Sequence, residues 1–279
     1  MSVIQLGLID TTRALDPDLV AGTAAALNIQ VMRDLPQFWP IQATVRHLTD
    51  PTRVPAGVWP VRLVSALPAG AGGVHLDRNN QPCAFVLATP AIGDWTVAAS
   101  HETIEMLIDP WGNRLQTARA IRIAGRSITD AKGEFGYLVE GCDPCEANRY
   151  GYTIQGIAVS DFITPHYYDA MPTPGSRYSF AGHITRPRRI LPGGYVAFVD
   201  FATAEWRRID FLGTKPRLSV LGHFRGKSIR RWTDRRAAKL THPHQLHVTG
   251  TPRTTAASSP RPSGCTTPPG SATSAAAHP

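Results

Sequence analysis

The segment Trp95 to Ile108, WTVAASHETIEMLI, constrains this chain more than any other stretch. It is built of helix-forming residues with apolar positions three and four apart and has no internal Gly or Pro. Pro110 disfavours helical geometry at Asp109, and Gly112-Asn113 follows, so the spacing predicts a helix over about 95–109 that stops there. His101 and Glu105 stand four apart on it, on one face and one turn from each other, where both reach a single ion. Glu102 occupies the place where an H-E-x-x-H metalloprotease keeps its general base. The second histidine of that motif is Glu105 here. A carboxylate is a competent zinc ligand, and an oxygen-richer site widens the choice to ions such as calcium. The alternatives are a core histidine satisfied by hydrogen bonds at 101 and a solvated or ligand-orienting carboxylate at 102.

Upstream, VIQLGLI at 3–9 has the length and composition of a strand, followed by turn chemistry in Asp10-Thr11-Thr12. Asp16 to Arg33 carries Leu19, Val20, Ala24, Leu27 and Val31 at mostly helical spacing, with Pro17 where a first helical turn accepts proline. Runs at 41–47, 58–66 and 82–88 are β-rich and read as strands of one sheet. The clusters between them, PAGAGG at 68–73 and DRNNQP at 77–82, read as turns. Beyond the central helix the chain reads as irregular, with short strands near 137–140, 152–159 and 195–201.

Asp109 lies about 12 Å along a continuous helix from His101, too far to share one ion, and reads as a helix-ending or ligand-orienting residue. The next acidic candidates for a third ligand lie in a later segment. YLVEGCDPCEANRYGY supplies Glu140, Asp143 and Glu146, and with water in the fourth position such a site is open for catalysis. Cys142-Asp-Pro-Cys145 has C-x-x-C spacing but no second C-x-x-C, so two cysteines in a turn beside the acidic ligand is the simpler assignment over a redox pair or half a zinc knuckle. His166, in the aromatic-flanked TPHYYD, is a candidate for substrate binding or oxyanion stabilisation, or for packing.

The run SHETIEMLIDPWGNR, followed by YLVEGCDPCE and VSDFITPHYYD, resembles zincin-like proteins that carry an S-H-E-x-x-E-x-x-x-D-P helix and a downstream E-x-x-D-x-C element. Related patterns occur in bacterial hypothetical proteins and in the plant phosphate-induced, exordium-like family. The resemblance covers residues 95–170, with a weaker echo in ALNIQVMRDLPQFWP. It implies a peptidase-like fold in which His101 and Glu105 are zinc ligands, Glu102 is the base, and Glu140 or Asp143 is the remaining ligand.

A hydrophobic fraction of 42% in 279 residues suffices for a substantial core without disulfide staples. No apolar stretch approaches the length of a membrane span, and the N-terminus lacks the basic start of a secretory signal, so the expected compartment is the cytoplasm. The net charge of +8 is unevenly placed: residues 207–240 hold eleven Lys and Arg against Asp210 and Asp234. The run Arg225 to Lys239 suits phosphate contacts, but no nucleic-acid-binding motif accompanies it, and a solvated face is the simpler reading. After Leu240 the composition turns to Thr, Pro, Ser, Ala and Gly, which predicts a disordered tail over 241–279.

The expected architecture is an α+β zincin-like domain over 1–240: a mixed sheet with a covering helix, the metal helix, then an irregular ligand-bearing half. The expected activity is metal-assisted hydrolysis of a peptide or protein substrate. A catalytically inactive, metal-stabilised binding module is the alternative, and a nucleic-acid contact through the basic run is a third possibility.

Overall fold

A computed structural model describes residues 3–67, 71–78 and 80–223; the basic run at 225–239 and the expected tail from 241 lie outside the described residues. The chain opens with β1 (Ile4–Asp10), whose centre is buried as a continuous run, as a parallel strand covered on both faces requires. Next comes α1 (Pro17–Ile29). Its Asp16 cap accepts the N–H of Asp18, and Pro17 sits in the first turn. The expected continuation to Arg33 is a wider π turn at Gln30–Asp34 rather than regular α-helix.

β2 (Ala43–His47) and β3 (Val58–Val64) flank β1, both parallel to it. β4 (Gly73–Arg78) and β5 (Gln81–Leu87) form a hairpin, with Asn80 in the left-handed region at φ 64° in the turn. β5 runs parallel to β3, so the order is β2-β1-β3-β5-β4 with β4 as an antiparallel edge. The expectation that the strands upstream of the central helix share one sheet holds. β4 was hidden, because the turn-like composition on both sides of it left only six residues between.

The central helix, α2, runs Trp95–Ile108 and packs against β4 and β5. After it the expected irregular half is not what forms. β6 (Leu115–Ala124) and β7 (Ser127–Leu138) make a long antiparallel hairpin, turned by Gly125 at φ 63°. A short pair, β8 (Tyr152–Ile154) and β9 (Ile157–Val159), follows it. Then β10 (Tyr195–Asp200), β11 (Glu205–Asp210) and β12 (Arg217–His223) complete a second five-stranded antiparallel sheet, ordered β12-β11-β10-β7-β6. The class is α+β.

The main core joins the first sheet to both helices through Leu6, Leu8, Leu27, Val61, Val86, Ile104 and Met106. A second, more aromatic core supports the antiparallel sheet, where Phe135 stacks on Phe198 with centroids 4.4 Å apart and Tyr137 lies beside them. Among the described residues no helix is long and apolar enough to cross a membrane.

Candidate metal centre

Twelve of the fourteen residues of α2 are buried, so its polar side chains need partners inside the protein. One face is anchored away from the site. Ser100 donates to Gln30 Oε1 at 2.7 Å and accepts the N–H of Ser160 at 2.9 Å, while Gln30 Nε2 donates to the Ser160 carbonyl at 3.0 Å. This network pins the turn immediately before His101. At the other end Asp109 closes the helix: its carboxylate accepts the N–H groups of Asn113 at 3.1 Å and Arg114 at 2.8 Å.

The opposite face carries the chemistry. His101 Nε2 lies 3.1 Å from Glu105 Oε2 and 3.4 Å from Asp143 Oδ1. Asp143 arrives on a short 3-10 turn, Asp143–Cys145, which follows β7 and crosses α2. Glu105 Oε1 accepts the N–H groups of Cys142 at 2.9 Å and Asp143 at 3.3 Å, so the turn is tied to the helix and Oε2 alone is left to face the imidazoles. Cys142 and Cys145 are buried free thiols in this turn, as the simpler assignment had it.

A further histidine, unmarked by any motif, completes the cluster. His75 stands on β4 opposite Ala84. Its Nδ1 is 3.5 Å from Glu102 Oε2 and 3.7 Å from Glu105 Oε2, and its Nε2 is 3.7 Å from Glu140 Oε2. Nε2 is also 3.2 Å from the Asp109 carbonyl, which can only accept, so the ring donates there and turns Nδ1 toward the carboxylates. Glu102 is buried beneath β4, where Gly73 leaves room for its carboxylate.

These groups are too many and too dry to ionise together without compensation. Burial pushes Glu140 well above the usual carboxylate range, and it raises Asp143 to about 8, with the Glu105 charge adding to the effect. Burial alone pulls His75 down, but Glu140, Glu102 and Glu105 outweigh it and hold it up to about 10. His101 is likewise held well above its ordinary value by Glu105 and Asp143 against its own burial. Glu105 is depressed, because the two imidazoles overcome its burial. Glu140 Oε2, Asp143 Oδ1 and Glu146 Oε2 are buried oxygens with no hydrogen-bond partner. Orphaned carboxylate oxygens beside imidazole nitrogens fit a cation with mixed oxygen and nitrogen donors.

The cluster opens on a cleft of about 530 Å³ lined by His75, His101, Glu102, Glu105, Glu140 and Asp143. Glu146, Tyr195 and Arg208 line its other side. Five of the six site residues expected from sequence therefore meet around one cavity. His166 does not. It sits on the 3-10 turn Pro165–Tyr168 with its side chain half-exposed, and its Nδ1 is 2.8 Å from Asp169 Oδ2; it is not among the residues lining the cleft. The neighbouring Tyr167 and Tyr168 are the ones packed into the aromatic core. Comparison of the chain with protein-family models, with curated proteins and with solved structures yields no match.

Proposed function

We propose that this protein is a metal-dependent hydrolase of peptide or amide bonds, with a divalent cation, zinc foremost, held by His101, Glu105 and Asp143. The observation that carries the reading is one imidazole nitrogen, His101 Nε2, with Glu105 Oε2 at 3.1 Å and the orphaned Asp143 Oδ1 at 3.4 Å. Two ligands on a tetrahedral ion with bonds of about 2.1 Å lie about 3.4 Å apart, so these gaps suit groups that share an ion. Zinc in such a site polarises a scissile carbonyl and makes water acidic enough to attack near neutral pH.

The remaining work falls to the protein. Glu102 takes one proton from the attacking water as the new C–O bond forms, and returns it to the leaving nitrogen as the C–N bond breaks. Glu105 is fixed by two backbone N–H groups, which keeps His101 and the base one residue after it in register. The substrate class is read from β4, which among the described residues is the edge strand of its sheet and whose Gly73, Val74 and His75 border the cleft. An extended peptide can add to such an edge as one more strand.

The test is metal analysis of wild type and His101→Ala by plasma mass spectrometry, beside turnover of quenched fluorogenic peptides by wild type and Glu102→Gln. Near-stoichiometric zinc lost on His101→Ala, with activity abolished and zinc kept in Glu102→Gln, is the expected result. Unchanged metal content in His101→Ala sinks the reading. Cys142 favours a second one: its Sγ forms a ligand-spaced group with His101 and Glu105, all atoms within 4.8 Å of one another. A thiolate added to the carboxylates closes the coordination sphere and yields a metal-stabilised binding module. In that module Glu102→Gln changes nothing measurable.

A further inference from the structure

The corner made by His101, Glu105 and Asp143 leaves half of the cluster unused. Beyond Glu105 stands His75, its side chain 2% exposed, with carboxylate oxygens of Glu102, Glu105 and Glu140 at 3.5, 3.7 and 3.7 Å. His75, Glu105 and Glu140 form a second ligand-spaced group, with one donor atom from each inside a 4.8 Å sphere. From Nδ1 the gaps of 3.5 Å to Glu102 and 3.7 Å to Glu105 are near the roughly 3.4 Å edge of a tetrahedron of ligands and too long for strong ion-pair contacts, while Glu140, nearest Nε2, joins within the same 4.8 Å sphere.

Two further observations point at this position. Glu140 Oε2 is buried without a hydrogen-bond partner, just as Asp143 Oδ1 is beside His101, so each histidine has one such carboxylate oxygen near it. The Asp109 carbonyl also fixes the His75 ring from behind at 3.2 Å, the arrangement by which a backbone acceptor orients a metal-binding imidazole and frees its other nitrogen. That other nitrogen faces Glu102 and Glu105.

We propose a second divalent-cation position held by His75, Glu105 and Glu140, adjacent to the first and sharing Glu105 with it. The pair is a two-metal centre bridged by one carboxylate, of the kind in which ions about 3.5–4 Å apart clamp the attacking and departing groups of a hydrolysis. The cleft gathers the carboxyl groups of Glu102, Glu105, Glu140, Asp143 and Glu146, more oxygen donors than one tetrahedral ion takes, and Arg208 on its wall is paired with Asp210. The proposal rests on the reading above for the first ion and adds a second. The rival explanation is an imidazolium at His75 acting as the sole counter-charge to its neighbours.

The full chain, stripped with chelator, reloaded with Mn²⁺ or Zn²⁺ and desalted, is counted by native mass spectrometry and plasma mass spectrometry, with circular dichroism to verify folding of each variant. Two ions per chain are expected in wild type, and one in Glu140→Gln, His75→Gln and Asp143→Asn. The Mn²⁺-loaded wild type should give the exchange-coupled electron paramagnetic resonance spectrum of neighbouring ions, and Glu140→Gln that of an isolated one. One ion in wild type, retained by Glu140→Gln, overturns the second position and leaves the first standing. Two ions without magnetic coupling also overturn it, because the second ion then lies elsewhere. Absence of bound metal in wild type overturns both readings. If a variant fails to fold, the wild-type count and spectrum decide.

Discussion

A Cβ placed on Gly73 would fall 2.5 Å from Glu102 Oε1 and 2.6 Å from Glu102 Cγ, closer than carbon atoms tolerate. The proposed base is thus seated by the absence of a side chain on the facing strand. Gly73→Ala should push the Glu102 carboxylate out of line and lower kcat on a peptide substrate by about 100-fold, the usual worth of a positioned base, with zinc content unchanged. Steady-state kinetics beside metal analysis checks it; parallel loss of zinc would show that Gly73 serves the ligands instead. Gly194 plays the same part for Asp143: a Cβ there would lie 2.5 Å from the Asp143 carbonyl oxygen and 2.7 Å from that of Pro144. At this scale the sequence was informative where a spacing encodes geometry. His101, Glu102 and Glu105 are readable from a four-residue repeat on a helix. His75 was not, because a single histidine in a strand has no spacing to betray it, and its ligand-like setting exists only once β4 lies against α2. His166 is placed away from the cleft, and its aromatic neighbours give no local signal of which side chain of a 3-10 turn lies inward.

Among the elements, α2 is held in place by side chains it does not share with the site. Gln30 spans Ser100 on α2 and the Ser160 carbonyl, and its amide also reaches the Tyr152 hydroxyl at 3.1 Å, which in turn donates to Asp34 at 2.8 Å. The π turn at Gln30–Asp34 turns Gln30, Val31 and Asp34 inward together. Gln30→Ala strands the Ser100 hydroxyl and the Ser160 carbonyl in a dry interior and should cost about 2–3 kcal/mol of stability, read from urea denaturation. A loss below about 0.5 kcal/mol would mean that the network follows the packing of α2 rather than fixing it. Strand legibility divided along the same lines. β1 shows as a continuous apolar run because both its faces are covered, and α2 shows because its breakers sit at its ends. β6, β7 and β12 mix charged and apolar residues without clean alternation, since much of each strand faces solvent. Their pairing is set by partners far along the chain, which local pattern does not record.

On the scale of the whole molecule, the centre draws its groups from pieces that meet only in the folded chain. His75 belongs to the edge of the parallel sheet, His101 and Glu105 to α2, and Glu140 and Asp143 to the chain leaving β7 of the antiparallel sheet. Without the proposed ion the buried carboxyl groups face one another uncompensated, so chelation should lower Tm reversibly. Zinc at about 100 times its Kd should restore about 2.7 kcal/mol, measured by thermal or chemical denaturation with and without chelator. A Tm indifferent to chelator would remove the ion from the stability of the protein.

That dispersal of ligands also sets the order of events in time. Because the ligands come from pieces that meet only in the folded chain, the proposed ion is expected to engage after the main barrier to folding, as a latch closed last. It should leave the refolding rate unchanged and slow unfolding alone by the full stability it confers. A cell would then experience loss of metal as a shortened lifetime of the native state, with newly made chains folding as fast as before.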